Sequence, residues 1–169
     1  MGVAGTGKSV VGQAVARRLH APFIEGDDLH PVANKDKMRA GIPLGDEDRW
    51  PWLHAVAHSL HEAAERKGVA VGTCSSLRRS YRDLLVQEAG EPILFAFLDG
   101  DAALIAARMA ARTHEYWPGA SLLDSQFATL ERPTADENVV VLPITLGIEQ
   151  LAERVVKAAP HLRSFRRKQ

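Results

Sequence analysis

The stretch GVAGTGKS, residues 2–9, decides the fold of this 169-residue chain. It matches the phosphate-loop pattern G-x-x-x-x-G-K-[ST] at every fixed position. Such a loop leaves a buried strand, enters a helix, and turns its backbone N–H groups toward a phosphate. Lys8 is expected to reach the β- and γ-phosphates of ATP, and Ser9 is expected to bind Mg²⁺. The predicted ATP-binding residues are Gly2, Val3, Ala4, Gly5, Thr6, Gly7, Lys8 and Ser9.

Composition excludes several functional classes. The chain carries 21 basic and 21 acidic residues, and this formal net charge of zero argues against a nucleic-acid partner. No apolar run approaches the roughly 18 residues that a membrane-spanning helix needs, so we expect no membrane partner. Cys74 is the single cysteine, which excludes an internal disulfide. We expect one cytoplasmic domain over residues 1–169, with enough apolar residues for a core.

Helices and strands alternate along the sequence. Segments with apolar residues at helical spacing are separated by short apolar runs that end in turn residues. This alternation is typical of an α/β protein with three layers, in which helices cover both faces of a parallel sheet. The predicted strands are PFIEGD at 22–27, VAVGTC at 69–74, PILFAFL at 92–98 and NVVVL at 138–142.

Polar residues crowd the segment EGDDLHPVANKDKMRAGIPLGDEDRWPWL, residues 25–53. The segment follows a predicted strand, so it leaves the sheet at the edge where the phosphate loop lies and where ligands of open parallel sheets bind. Glu25 and Asp27 are two residues apart there, and such acids orient Mg²⁺ or accept a proton from a hydroxyl. Taken alone, the segment is more simply explained as a charged helix and loop.

Three motifs of the sequence resemble the gluconate kinases, a family of small P-loop sugar-acid kinases. The first lies within residues 25–53, the second is CSSLRRSYRDLL at 74–85, and the third is SQFATLERP at 125–133. The resemblance covers nearly the whole chain with the motifs in order, and it is more specific than the phosphate loop alone. In the first motif the matched positions are Asp27, His30, Pro31, Asn34, Lys37, Met38, Gly41, Pro43, Leu44, Asp46, Asp48, Arg49, Pro51, Trp52 and Leu53.

The resemblance implies ATP-dependent phosphorylation of D-gluconate at its 6-hydroxyl, giving 6-phospho-D-gluconate, and a homodimer is a family expectation. Asp27 is the predicted acceptor of the hydroxyl proton. Glu25, where the family usually has Asp, is predicted to hold Mg²⁺ through a water. Gluconate is a carboxylate with many hydroxyls, so its binding site needs cationic side chains and hydrogen-bond donors. The predicted substrate-binding residues are Asp27, His30, Lys37, Arg49 and Arg82, with the two arginines as carboxylate forks.

Two arginines precede a predicted lid. Arg108 and Arg112 are four residues apart on one predicted helix face, just before THEYWPGAS. With Lys8 and Asp27 they complete the predicted catalytic set, because arginines near the transferred phosphoryl group stabilise its charge. The lid is expected near residues 112–122. Its usual family histidine is left unassigned, because the positions concerned, 114 and 115, read His-Glu here.

The fold of the resembled family is adenylate-kinase-like, with strand order 2-3-1-4-5, and its first strand is apparently missing from this chain. Only Met1 stands before Gly2. We therefore expect the natural protein to begin upstream with roughly eight to twelve further apolar and β-branched residues. If the chain folds as given, we expect a groove between the runs at 69–74 and 92–98, or a segment from elsewhere in that slot, because their facing backbone groups need partners.

Other functions fit parts of the pattern. Another small-molecule P-loop kinase, such as a shikimate-like kinase, shares the phosphate loop but lacks the motif in residues 25–53. A nucleotide-dependent switch needs N-K-x-D for guanine, and NKDK at 34–37 has Lys in place of the final Asp. A folded but non-catalytic nucleotide-binding fragment is the third alternative, because the first strand is missing.

Overall fold

The computed structural model of the chain describes residues 1–111 and 119–159. Four short strands alternate with helices, as the sequence pattern predicts. None of the helices in these two stretches is long and apolar enough to cross a membrane. The helices are α1 Lys8–Leu19, α2 Val32–Arg39, α3 Asp46–Lys67, α4 Arg79–Ala89, α5 Ala102–Ala110, α6 Gly119–Thr129 and α7 Ile148–Ala158, with a 3₁₀ helix at Gly26–Leu29. The strands are β1 Phe23–Ile24, β2 Val71–Gly72, β3 Phe95–Asp99 and β4 Val139–Pro143.

The helix ends follow local sequence signals. Helix α3 ends at Gly68, which adopts the left-handed conformation with φ of 76° and donates its N–H to Ala64 O. Helix α5 begins after Asp101, whose side chain accepts a hydrogen bond from the Leu104 N–H at 2.7 Å. Helix α3 begins at Asp46, so the motif in residues 25–53 lies partly on this helix.

The sheet consists of two parallel strand pairs. β1 pairs with β2, with Phe23 opposite Val71, and β3 pairs with β4, with Phe95 opposite Val139. The expected order 2-3-1-4-5 counts the missing strand as strand 1, so its strands 2, 3, 4 and 5 correspond to β1, β2, β3 and β4. This order predicts both observed pairs and places the missing strand between them. Parallel pairing explains why each strand is followed by a helix before the chain returns to the sheet.

Met1 and Gly2 lie between the two strand pairs. The Met1 nitrogen donates a hydrogen bond to Ala96 O at 2.6 Å, and Met1 O accepts one from the Leu98 N–H at 3.1 Å. On the other side, the Gly2 N–H donates to Ser75 O at 3.1 Å. Met1 and Gly2 thus occupy the expected groove at its carboxyl end, and the phosphate loop leaves the sheet from this point.

Two hydrophobic clusters cover the two faces of the sheet. Helices α1 and α7 pack against each other on one face, and helices α3 and α4 pack against each other on the other. Cys74 is buried in the second cluster, as a packing residue would be. The first cluster includes Val3, Val11, Val15, Leu98, Ile105, Leu142 and Leu151, and the second includes Trp52, Leu53, Val56, Tyr81, Leu85 and Phe95.

Candidate active site

The carboxyl ends of the strands bring the predicted site residues to one edge of the sheet. β1 runs directly into Glu25 and the 3₁₀ helix, and β2 runs into Thr73 and Ser75. Gly2 bonds to Ser75 at this edge, so the phosphate loop begins beside the ends of both strands. This is the edge at which open parallel sheets bind their ligands.

The phosphate loop is held in a conformation that only glycine tolerates easily. Gly2, Gly5 and Gly7 have φ of 131°, 78° and 93°, all in the left-handed range. Val3 O accepts two hydrogen bonds from within the loop, from Thr6 Oγ1 at 2.9 Å and from Lys8 Nζ at 3.0 Å. The loop leads into α1, whose first turn carries Lys8 and the exposed Ser9.

Two carboxylates lie close to Lys8. Burial lowers the pKa of Lys8 below its usual value, while the charges of Asp27 and Glu25 partly oppose this shift. Asp27 is exposed, and one oxygen of Glu25 accepts a short hydrogen bond from Thr73 Oγ1. The structure thus brings together the loop lysine and the two acids that the sequence placed at the end of one strand.

The 3₁₀ helix that carries Asp27 is fixed from two sides. A Cβ atom on Gly26 would lie 2.0 Å from Thr73 O, so only glycine fits where this helix passes β2. Trp52 Nε1 donates a hydrogen bond to Gly26 O at 2.7 Å. Trp52 is buried in the core, so it ties the position of Asp27 to the packing of α3.

His30 is buried and uncharged at neutral pH. Its ring stacks on Trp52, with the ring centroids 4.1 Å apart, and only 7% of the residue is exposed. Burial, followed by the nearby charges of Arg49 and Lys35, lowers the pKa of His30 to about 4. Nδ2 of Asn34 lies 3.3 Å from Nδ1 of His30 and also donates to Asp48 O at 2.7 Å. An amide NH₂ can only donate, so the neutral ring carries its proton on Nε2.

Lys37 and Arg49 lie on either side of the turn between α2 and α3. Lys37 Nζ pairs with Asp48 at 2.6 Å, and this bond, followed by one from the Gly45 N–H, lowers the pKa of Asp48. Arg49 Nε donates to Leu44 O at 3.3 Å. The terminal nitrogens of Arg49 make no hydrogen bond within residues 1–111 and 119–159, so this guanidinium keeps donors for a ligand.

Arg82 is buried and already paired with a carboxylate, which argues against its predicted role as a carboxylate fork. Its side chain is 1% exposed and forms a two-pronged ion pair with Glu137, whose side chain is 6% exposed. The same guanidinium donates to Ser76 O, Leu77 O and Glu131 O. Arg82 therefore joins α4 to two loops inside the protein. The sequence motif could not separate a buried arginine from one that faces a ligand.

A cavity of about 470 Å³ adjoins the phosphate loop. Arg108 lines it and donates to Ile144 O at 2.8 Å, so one of the two predicted lid arginines lies beside the loop. Arg112 and most of the predicted lid lie outside the described residues, and α6 begins at Gly119 within the predicted lid range. The cavity is lined by Gly5, Thr6, Gly7, Val10, Val11, Arg108, Ala111, Ile144, Leu146, Gly147, Ile148 and Leu151.

Sequence reasoning missed a second group of polar residues near Arg49. Asp46 accepts hydrogen bonds from Arg78 Nη1 at 2.7 Å and from the Tyr81 hydroxyl at 2.5 Å. The Tyr81 ring in turn meets Trp50 edge-on, with centroids 5.3 Å apart. Both Asp46 and Tyr81 lie in the recognised motifs, but their contact depends on how α3 and α4 pack.

Comparisons with known proteins match the chain to small-molecule kinases. A family model described as shikimate kinase matches residues 4–157. The thermosensitive gluconokinase of Escherichia coli (strain K12) is 45% identical over 168 residues, which cover 98% of this chain and 88% of that protein. The gluconokinase of Gluconobacter oxydans (strain 621H) is 47% identical over 140 residues, covering 83% of this chain and 78% of the relative.

Solved structures show the same likeness. A gluconokinase from Sinorhizobium meliloti 1021 has a TM-score of 0.85 and 40% identity, and the match covers 100% of this chain and 95% of that one. The APS kinase of Mycobacterium tuberculosis has a TM-score of 0.66 at 20% identity, a likeness that shows the fold alone.

The α/β fold and the loop with its lysine and neighbouring acids define a P-loop small-molecule kinase. Within that class, the sequence is 45% and 47% identical to two proteins named gluconokinase. The chain belongs to the gluconokinase family.

We expect Arg82→Met to destabilise the fold strongly. The change leaves the Glu137 carboxylate buried without its partner, which costs about 3–5 kcal/mol in the free energy of unfolding. Urea unfolding of the parent and the variant measures this loss of free energy. Arg66→Met is the matched control, because the pair of Arg66 with Glu62 is exposed and its loss should cost less than about 1 kcal/mol. A stable Arg82→Met protein with weakened gluconate binding would instead support the predicted carboxylate fork.

We expect His30 to titrate near pH 4 in the folded protein and near its usual 6.5 in the unfolded chain. Between these values the unfolded chain binds a proton that the folded chain does not, so the free energy of unfolding falls as the pH falls, by at most about 3 kcal/mol. An NMR titration of the ring, assigned against His30→Gln, gives the pKa directly. Urea unfolding at pH 7 and pH 4.5 should show a smaller loss for His30→Gln than for the parent, and a ring pKa near 6.5 would contradict the argument.

Proposed function

We propose that this protein transfers the γ-phosphoryl group of ATP to the 6-hydroxyl of D-gluconate. The observation that carries the proposal is the exposed carboxylate of Asp27 beside the phosphate-loop lysine, Lys8, at the carboxyl edge of the sheet. The family supports gluconate as the substrate, because relatives named gluconokinase match nearly the full chain.

The chemistry needs little from the protein beyond position and charge. The oxygen of the 6-hydroxyl forms a bond to the γ-phosphorus, the bond from that phosphorus to the β,γ-bridging oxygen breaks, and ADP leaves. Asp27 accepts the proton of the attacking hydroxyl. Lys8, which contacts Val3 O in this structure, moves its ammonium group to the β- and γ-phosphates and offsets their charge.

The side chains near the 3₁₀ helix suit a polyhydroxy carboxylate. Arg49 keeps its terminal nitrogens available and is the fork for the gluconate carboxylate. His30, neutral with its proton on Nε2, donates a hydrogen bond to a hydroxyl of the sugar acid. Lys37 shares its charge with Asp48 and has a second donor for a hydroxyl. Arg82 is left out of this set, because its guanidinium is occupied by Glu137 and three carbonyl oxygens.

Mg²⁺ and the adenine of ATP also have candidate residues. Ser9 is exposed in the first turn of α1, and Glu25 uses one carboxylate oxygen for Thr73, which leaves the other for a metal-bound water. When bound, Mg²⁺ neutralises charge on the β- and γ-phosphates. The cavity between the loop and residues 144–151 is the proposed site of the adenine base, with Arg108 at its wall.

A second candidate substrate is shikimate, because the matching family model is described as shikimate kinase. A coupled assay of ADP release with ATP–Mg²⁺ and either gluconate, shikimate or a panel of other sugar acids separates the two. We expect turnover with gluconate and at least about 10²-fold lower kcat/KM with shikimate, because buried polar groups left unpaired by the wrong substrate raise the barrier. Turnover with shikimate alone would overturn the proposal, and the absence of ADP release with every acceptor would favour a non-catalytic role.

We expect Asp27→Asn to lower kcat for gluconate about 10²- to 10³-fold, because an amide cannot accept the hydroxyl proton. The KM for ATP should change little. Steady-state kinetics measure both constants. Asp28→Asn is the matched control, since Asp28 is the next residue and is also exposed, and its kcat should stay within about twofold of the parent. Equal losses in both variants would show that charge at this helix, rather than proton transfer at Asp27, matters.

A further inference from the structure

We propose that Gln126 is a positioning residue that holds one peptide plane of the phosphate loop in the orientation needed to bind nucleotide. Gln126 Oε1 accepts a hydrogen bond from the Ala4 N–H at 2.6 Å. The two residues are 122 positions apart in the chain, so the contact is made by the tertiary fold. Gln126 lies in the motif SQFATLERP, to which the proposed mechanism assigns no role.

The peptide unit between Val3 and Ala4 is held at both ends. Its carbonyl oxygen, Val3 O, accepts from Thr6 Oγ1 and Lys8 Nζ, and its N–H group donates to Gln126. The bonds to Val3 O come from within the loop, whereas the bond to Gln126 comes from helix α6. Gln126 therefore fixes this peptide plane to the body of the protein.

Helix α6 is firmly anchored around Gln126. Leu123, one turn earlier, is 3% exposed, and Phe127 packs on the same hydrophobic cluster, which also contains Val3. At the end of the motif, Arg132 forms a two-pronged ion pair with Asp99 at 2.8 and 2.9 Å. The amide oxygen of Gln126 is thus presented from a helix that packs on the core, and a helix positions a side chain more precisely than a loop does.

The bond matters most when nucleotide is bound. Under the proposed function, on which this inference rests, Lys8 leaves Val3 O for the phosphates, and Val3 O then keeps only the bond from Thr6. If the Val3–Ala4 peptide rotated, its carbonyl oxygen would turn toward the phosphates and repel them. Gln126 prevents this rotation.

The test uses Gln126→Met, which keeps the side-chain length and removes the acceptor. We expect the dissociation constant for ADP, measured by calorimetry without gluconate, to rise about tenfold, because the free loop would hold the binding orientation only about a tenth of the time without this bond. The KM for gluconate should stay unchanged, and amide hydrogen exchange at Ala4 should become faster. Gln87→Met, at an exposed position on α4, is the matched control and should leave all three values unchanged.

Each result separates the positioning role from a merely structural one. Unchanged ADP binding in Gln126→Met, with or without a lower melting temperature, would overturn the proposal. Gln126→Glu should restore slow exchange at Ala4, because a carboxylate also accepts the N–H bond, and continued fast exchange would also overturn it. If the parent protein binds ADP but does not phosphorylate gluconate, the proposed function fails, and weaker ADP binding in Gln126→Met still supports the role of Gln126.

Discussion

The structure depends on the way in which the phosphate loop is fastened between two pairs of parallel strands. Met1 and Gly2 bond to Ala96 and Leu98 on one side and to Ser75 on the other, so the start of the loop lies between β3 and the segment that follows β2. A phosphate loop works only if several N–H groups point to one centre before the ligand arrives. These bonds fix where that centre lies relative to the strand ends that carry the acids.

Close packing around the loop also sets the charges of the site. Lys8 is desolvated, which lowers its pKa, and the nearby charges of Asp27 and Glu25 partly offset this effect. The position of Asp27 is fixed in turn by Gly26, which passes so close to Thr73 that a side chain would not fit. A ligand that brings phosphate charge to this edge therefore meets a cation, two acids suited to metal and proton transfer, and a rigid backbone.

The two arginines predicted as carboxylate forks have different surroundings, and burial determines which of them can bind a ligand. Arg82 gives its guanidinium to Glu137 and to three carbonyl oxygens, and it joins parts of the protein that are distant in sequence. Among the described residues, Arg49 makes a single hydrogen bond, from Nε to Leu44 O. Both lie in motifs of the family, and only their surroundings separate a structural arginine from one available to a substrate.

The sequence by itself determined the phosphate loop, the alternation of helices and strands, and the family, because these depend on local spacing and on residues close in the chain. It also placed Glu25 and Asp27 at a strand end. Only the tertiary structure decided that His30 is neutral, that Arg82 is buried, and that Gln126 reaches Ala4 across 122 residues. The physical reason is that desolvation and long-range hydrogen bonds depend on which surfaces meet when the helices pack, and a sequence pattern does not contain those distances.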